Sequence, residues 1–381
     1  METKPWNLER LLSAPEIYPA EGFEAQDVRA LFYEGLPWKG KPTRVFAWYG
    51  APEHKTDERL PAMVLVHGGG GTAFDEWVRL WNRRGYAAIA MDLCGCVPRG
   101  NYGNWVRHDH GGPAGWGGFE QIDWPMEDQW TYHAVSQVVL ANSLLRSFPE
   151  IDPDRIGLTG ISWGGYLTCI VSGVDDRFRF AVPVYGCGFL GHNSAWLPLF
   201  EKMGQQKSEK WLKLWDPSHY LRNTTMPMLW VTGTNDGAYP MDSLQKSYRL
   251  PESERTLCIR IRMPHGHGGA GENPEEIHAF ANSILKADAP LARITSYGID
   301  DDHARAEFTS AKPITKAELC FTRDLGDWQQ REWISEPADI SGYKVTAELS
   351  SDVKVCYLNL IDGSDLVVST EHVERTGSSY D

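Results

Sequence analysis

The stretch Ile156-Gly157-Leu158-Thr159-Gly160-Ile161-Ser162-Trp163-Gly164-Gly165-Tyr166 limits what this chain can fold into more than any other. A short apolar run enters Gly-x-Ser-x-Gly, and a helix-compatible run leaves it through Leu167 to Val171. The pattern predicts a strand that turns sharply into a helix, with a serine at the apex. Neighbours without Cβ atoms let strand and helix approach closely while the serine backbone carries the strain. Such a turn offers the Ser162 hydroxyl to a cleft and sets the Trp163 N–H at a helix start, where negative charge would be stabilised. Gly- and Ser-rich turns match so short a motif by chance, so its chemical partners have to be found elsewhere in the chain.

The bulk numbers narrow the classes. At 381 residues the chain is long enough for one large domain and a smaller one. A net charge of −14 argues against nucleic acid or an anionic membrane surface as partner. No apolar run approaches the ~20 residues that span a bilayer, and Met1 to Trp6 lacks a charged-then-apolar leader. A soluble protein is expected, with the compartment (cytoplasmic, periplasmic or secreted) left open. The seven cysteines are scattered. Cys169, Cys258, Cys320 and Cys356 lie in apolar or strand-like runs, where a thiol behaves as a small hydrophobe, and no disulfide framework is expected. His108-Asp109-His110 and His192 show no third and fourth ligand at metal spacing, so no metal and no cofactor is expected.

Strand-length apolar runs alternate with helical spacing through the middle of the chain. Leu60 to Val66 and Tyr86 to Leu93 flank a helix from Asp75 to Arg84 that stops at Gly85. A helix over Glu127 to Phe148 precedes the serine turn. Strands over Phe178 to Tyr185, Met228 to Thr232 and Leu257 to Met263 follow it, with helices at Met241 to Leu250 and Pro274 to Leu285. This alternation specifies an α/β fold, a doubly wound and mostly parallel sheet. Residues 1–45 read as an N-terminal arm and edge hairpin, 46–290 as the catalytic domain, and 291–381 as a small all-β, sandwich-like domain whose last residues fray. Two excursions, 94–126 and 186–223, read as lid or cap. Sixteen tryptophans are unusual. Those in the excursions either form a satellite core or line a cleft for sugars or aromatic rings; Trp105, Trp116 and Trp124 are the candidates for the cleft.

A serine needs a base, and the base an orienting carboxylate. In a doubly wound sheet both should follow strands at their carboxyl ends. Asp236 follows Met228 to Thr232, and His265 and His267 follow Leu257 to Met263. The flexible Gly266-His267-Gly268-Gly269 favours His267 as base, with His265 lining the site. His67-Gly68-Gly69-Gly70-Gly71 would lie beside the serine strand, so the N–H groups of Gly68 and Gly69 are expected to join Trp163 in holding an oxyanion.

With these residues together, the chain resembles the α/β-hydrolase superfamily, most closely its dienelactone-hydrolase-like, acetyl xylan esterase-like and prolyl-oligopeptidase-related branch. The resemblance covers about residues 40 to 290 and rests on His67 to Gly71, Gly160 to Gly164, Gly233 to Asp236 and Gly266 to Gly269. It implies Ser162 as nucleophile, Asp236 as acid and His267 as base. The activity implied is that of a serine carboxylesterase, with deacetylation of an O-acetylated carbohydrate expected first. A serine peptidase, or a non-catalytic glycan-binding protein on the same scaffold, are the alternatives. The partner is expected to be a small-molecule or carbohydrate ester, with no nucleic acid and no membrane, and a homo-oligomer left open.

Overall fold

The computed structural model describes residues 5–55 and 58–375. The strands Leu60–Val66, Ala87–Met91, Ala181–Val184 and Met228–Gly233 are buried at every position. Only a sheet covered on both faces hides such unbroken apolar runs. They belong to a nine-stranded sheet ordered Ile17–Glu24, Arg29–Trp38, Lys41–Gly50, Ala87–Met91, Leu60–Val66, Ile151–Ile161, Ala181–Val184, Met228–Gly233 and Arg255–Arg260. Pairing is antiparallel as far as Ala87–Met91 and parallel from there on. The stretch before residue 30, expected to be a peripheral arm, instead supplies the outermost strand.

Successive side chains of one strand enter opposite cores. Ala62, Val64 and Val66 pack with the helices Trp130–Ser147, Trp163–Val174 and Met241–Tyr248. Met63 and Leu65 pack with Trp77, Val78 and Trp81 of Asp75–Arg83 and with Ile277, Phe280 and Ala281 of Glu275–Leu285. The predicted helices and strands all occur, with ends moved by a few residues, as expected where ends fray. The 94–126 excursion forms a hairpin, Cys96–Asn101 with Asn104–Arg107, followed by two short 3-10 turns. The 186–223 excursion forms three helices, Leu197–Met203, Gln205–Trp215 and Ser218–Leu221. Among the described residues no helix is long and apolar enough to cross a membrane.

From residue 293 the chain forms two antiparallel sheets. One is ordered Arg293–Asp300, His303–Thr309, Lys344–Glu348, Asp339–Ser341. The other is ordered Ile334–Pro337, Ile314–Thr322, Val355–Asp362, Val367–Ser369. Phe308, Leu319, Phe321, Val345, Leu358 and Leu360 fill the space between them. The outer face of the second sheet is apolar as well: Cys320, Tyr357 and Trp333 join the core of the large domain.

This docking closes the end of the large sheet. Arg255–Arg260 is an edge strand, and a bare edge exposes a ladder of unpaired groups. Here the Ile259 N–H donates to Ser369 Oγ at 2.8 Å, and Asn359 Nδ2 donates to the Ile259 carbonyl at 3.2 Å. Ser369 Oγ in turn donates to Asn359 Oδ1 at 2.6 Å. Buried Glu371 pairs with Arg249 and Arg255, and Glu276, also buried, accepts the Val367 N–H at 2.8 Å. Truncating Asn359 strands a buried carbonyl and a buried hydroxyl. Asn359→Ala is therefore expected to cost about 1–3 kcal/mol, read from the urea midpoint at unchanged slope. A midpoint equal to wild type would mean that the interface does not depend on this cap.

Candidate active site

The elbow forms as its sequence demands. Ile151–Ile161 runs into the helix Trp163–Val174, and Ser162 between them has φ 57° and ψ −116°. A side-chain-bearing residue held there costs about 1–3 kcal/mol and persists only where its surroundings impose it. The Ser162 N–H donates to Val184 O at 2.9 Å, and its carbonyl accepts the Tyr166 N–H at 2.8 Å, fixing the turn from both sides. Gly164 is required by crowding, since a Cβ there would overlap the Val66 carbonyl of the neighbouring strand.

Asp236 follows the strand Met228–Gly233 and is buried. Its Oδ1 accepts the N–H groups of Ala238 at 2.9 Å and Tyr239 at 2.7 Å, and its Oδ2 accepts His265 Nδ1–H at 2.6 Å. An ionised carboxylate so held fixes the ring of its histidine and leaves that ring's Nε2 as the basic nitrogen. The His265 ring stacks on Tyr185, with centroids 4.5 Å apart, and Tyr185 directly follows the strand Ala181–Val184, which pairs with the elbow strand. The sequence pattern had not singled out Tyr185.

The expected pairing of Asp236 with His267 does not occur. His267 Nδ1 donates to Glu272 at 2.9 Å, and its Nε2 accepts the Gly68 N–H at 2.9 Å. His267 also stands beside the nucleophile, because a Cβ on Gly68 would lie 3.1 Å from Ser162 Cβ and 3.4 Å from His267 Nε2. Its basic lone pair is occupied by a backbone donor. Both histidines of the last loop are therefore backed by a carboxylate, Glu272 for His267 and, after the adjacent strand, buried Asp236 for His265. Glu272 lies only five residues beyond His267, a local signal that the glycine pattern obscured.

The same bond corrects part of the expected oxyanion site. The Gly68 N–H is spent on His267, so of the three expected donors only the N–H groups of Gly69 and Trp163 remain candidates for that role. The loop is braced from below and above. His67 is buried, with Nδ1 2.9 Å from the Gly68 carbonyl and Nε2 accepting the Leu93 N–H at 3.1 Å. From the 94–126 excursion, Tyr102 Oη donates to Gly69 O, while the Gly103 N–H and Trp105 Nε1 both donate to Gly70 O, each at 2.8 Å. Buried Asp92 holds the start of that excursion through Thr72 Oγ1 and the N–H groups of Cys94 and Cys96.

The tryptophans divide accordingly. Trp105 clamps the glycine loop. Trp116 sets its ring against His67 at 5.4 Å and Trp130 at 5.7 Å. Trp124 lies under Lys39, 4.1 Å from its Nζ, at the turn between the strands Arg29–Trp38 and Lys41–Gly50, so it is not brought to the elbow with the other two. Trp211 and Trp215 are fully buried, their N–H groups bonded to Gly117 O and Gln129 Oε1. Trp163 packs against Phe119, Trp130, Tyr166 and Trp196. Much of the tryptophan content is thus satellite core under the excursions. Among the described residues no group of three or more His, Cys, Asp or Glu is placed to hold a metal ion, and all seven cysteines are buried free thiols.

A model of the prolyl oligopeptidase family matches residues 123–285, which hold the elbow and both histidines. The chain has an α/β-hydrolase fold, and its central region is similar to the prolyl oligopeptidase family. It is 27% identical over 244 residues to the uncharacterized peptidase YuxL of Bacillus subtilis, a match covering 58% of this chain and 33% of YuxL. The chain therefore spans about a third of that relative's length. In fold it is similar to the acetyl xylan esterase of Paenibacillus sp. R4, with TM-score 0.59, 20% identity, and coverage of 73% of this chain and 92% of that one. Acetyl xylan esterase 1 of Thermoanaerobacterium sp. JW/SL YS485 follows at TM-score 0.54 and 19% identity, covering 68% and 87%. The acylaminoacyl peptidase of Pyrococcus horikoshii gives TM-score 0.51 and 23% identity, covering 68% and 42%.

Burial holds His67, His108, His133 and His372 neutral. His67, His108 and His133 are pulled from the usual 6.5 to about 4, and His372 to about 3. Burial is the largest cause in each, and nearby Asp92 opposes it only partly for His67 and His108. Between these values and 6.5 the unfolded chain binds protons that the folded one does not, so stability falls as pH drops through that window. Denaturation midpoints taken from pH 7 to pH 4 are expected to fall steadily. A flat profile would contradict the neutral, buried assignment.

Proposed function

We propose that this hydrolase is a serine carboxylesterase working through an acyl-enzyme. Ser162 attacks the ester carbonyl, and His265 Nε2 takes the hydroxyl proton. Asp236 holds the ring and stabilises the imidazolium, and the Trp163 and Gly69 N–H groups receive the oxyanion. His265 returns the proton to the leaving alcohol. It then activates the water that releases the acid and restores Ser162. The observation that carries the reading is the 2.6 Å contact between His265 and buried Asp236, taken together with the strained backbone of Ser162 at the elbow.

The substrate reading is an O-acetylated carbohydrate. A cavity of about 430 Å³ adjoins Asp236 and His265, and the polar side chains of Asn235, Arg262, Gln329, Gln330 and Arg331 line it beside Met263 and Pro264. A general acid delivers its proton to the leaving group, so a polar space against His265 supports a hydroxyl-rich leaving group. Gly69 presses on the Trp163 ring, where a Cβ would sit 2.8 Å from Cδ1, and this crowding supports a short acyl chain. Two acetyl xylan esterases with this fold are named for such a substrate. The family match and the name of YuxL favour a second reading, a serine peptidase.

Ser162→Ala is expected to lower turnover of an aryl acetate by roughly 10⁴-fold or more, measured as kcat by chromophore release. Full activity in that variant would exclude Ser162 as nucleophile. A panel of unblocked and N-acylated peptides separates the two readings: amide cleavage as efficient as ester cleavage would make the protein a peptidase.

A further inference from the structure

The cavity beside His265 is built from both domains. Asn235, Asp236, Arg262 and His265 belong to the loops after two strands of the large sheet, whereas Gln329, Gln330 and Arg331 belong to the C-terminal sandwich. They lie on and just after a short 3-10 turn, Trp328–Gln330. This turn is tied to the catalytic loop: Asn235, next to the acid in sequence, donates its amide to Gln329 O at 3.2 Å and to Arg331 O at 2.7 Å.

The turn is also rigid. Buried Arg331 lies over the Trp328 ring at 3.7 Å and donates Nε to Gly326 O at 2.9 Å. Trp328 stacks with Trp333 and meets His372 edge-on, so the segment rests on the same apolar seam that docks the two domains. The Gln330 side chain is left exposed at the rim, and Gln329 half-exposed. An amide carries two donors and an acceptor with two lone pairs, and such groups match the donor and acceptor pattern of sugar hydroxyls.

We propose that the C-terminal sandwich forms the leaving-group wall of the active site, and that Gln329 and Gln330 are its specificity residues for a hydroxyl-rich leaving group. The inference rests on the serine-hydrolase reading above. It makes the second domain part of the substrate site rather than a separate binding module. Substrates with a flat aryl leaving group do not use this wall; acetylated oligosaccharides do.

The experiment compares wild type with Gln329→Ala/Gln330→Ala on p-nitrophenyl acetate and on an acetylated xylo-oligosaccharide. Thermal melting serves as the folding check. The double variant is expected to melt like wild type and to keep kcat and KM on the aryl ester within about twofold. On the saccharide, loss of one or two neutral hydrogen bonds should cut kcat/KM at least about tenfold, mainly through KM. Parallel losses on both substrates, an unchanged ratio, or a wild type that turns over the aryl ester but not the saccharide would each overturn the proposal. Failure of the underlying reading looks different, because neither ester would be turned over and no serine probe would label Ser162.

Discussion

Ser162 holds a backbone conformation it would abandon in a free chain, and the rest of the site depends on the crowding that keeps it there. The Val66 carbonyl fills the space a Cβ on Gly164 would take, and Val184 O and the Tyr166 N–H pin the residue from opposite sides. The helix can start at Trp163 only because the strand is stopped so abruptly. That places an N–H donor, a hydroxyl and the glycine loop after Leu60–Val66 around one point. Each partner then arrives at the carboxyl end of its own strand, where a doubly wound sheet opens.

Two histidines two residues apart each have a carboxylate at Nδ1. His267 accepts the Gly68 N–H and so braces the glycine loop from the side of the last loop, while Tyr102, Gly103 and Trp105 brace it from the excursion. His265 lies between buried Asp236 and the Tyr185 ring. The second domain closes the edge of the sheet at Ile259 and reaches the acid loop through Asn235, so its docking and the site geometry are one construction problem solved twice.

Elements buried on both faces were legible in the sequence, because Leu60 to Val66 or Met228 to Thr232 admits no solvent-facing alternation. The elbow was legible from its glycines, and the place of Asp236 after its strand from strand order. The strands Ile17–Glu24, Arg293–Asp300 and His303–Thr309 were not. The first is largely exposed and contains Pro19 and Gly22, and the other two carry mixed polar faces without an apolar run. The choice between His265 and His267 also escaped. Flanking glycines report chain flexibility, whereas the assignment turns on a long-range pairing and on one backbone N–H 199 residues away. The aromatic content had two readings, and burial of Trp211 and Trp215 places much of it in the satellite core.

The central claim is that His265, held by Asp236, activates Ser162 while His267 braces the glycine loop. Mass spectrometry after a fluorophosphonate probe, timed on wild type, His265→Ala and His267→Ala, tests it most directly. The account predicts a single adduct on Ser162 in wild type, near-complete loss of labelling in His265→Ala, and labelling at a reduced but measurable rate in His267→Ala. Rapid labelling of His265→Ala together with none in His267→Ala would contradict it and return the role of base to His267.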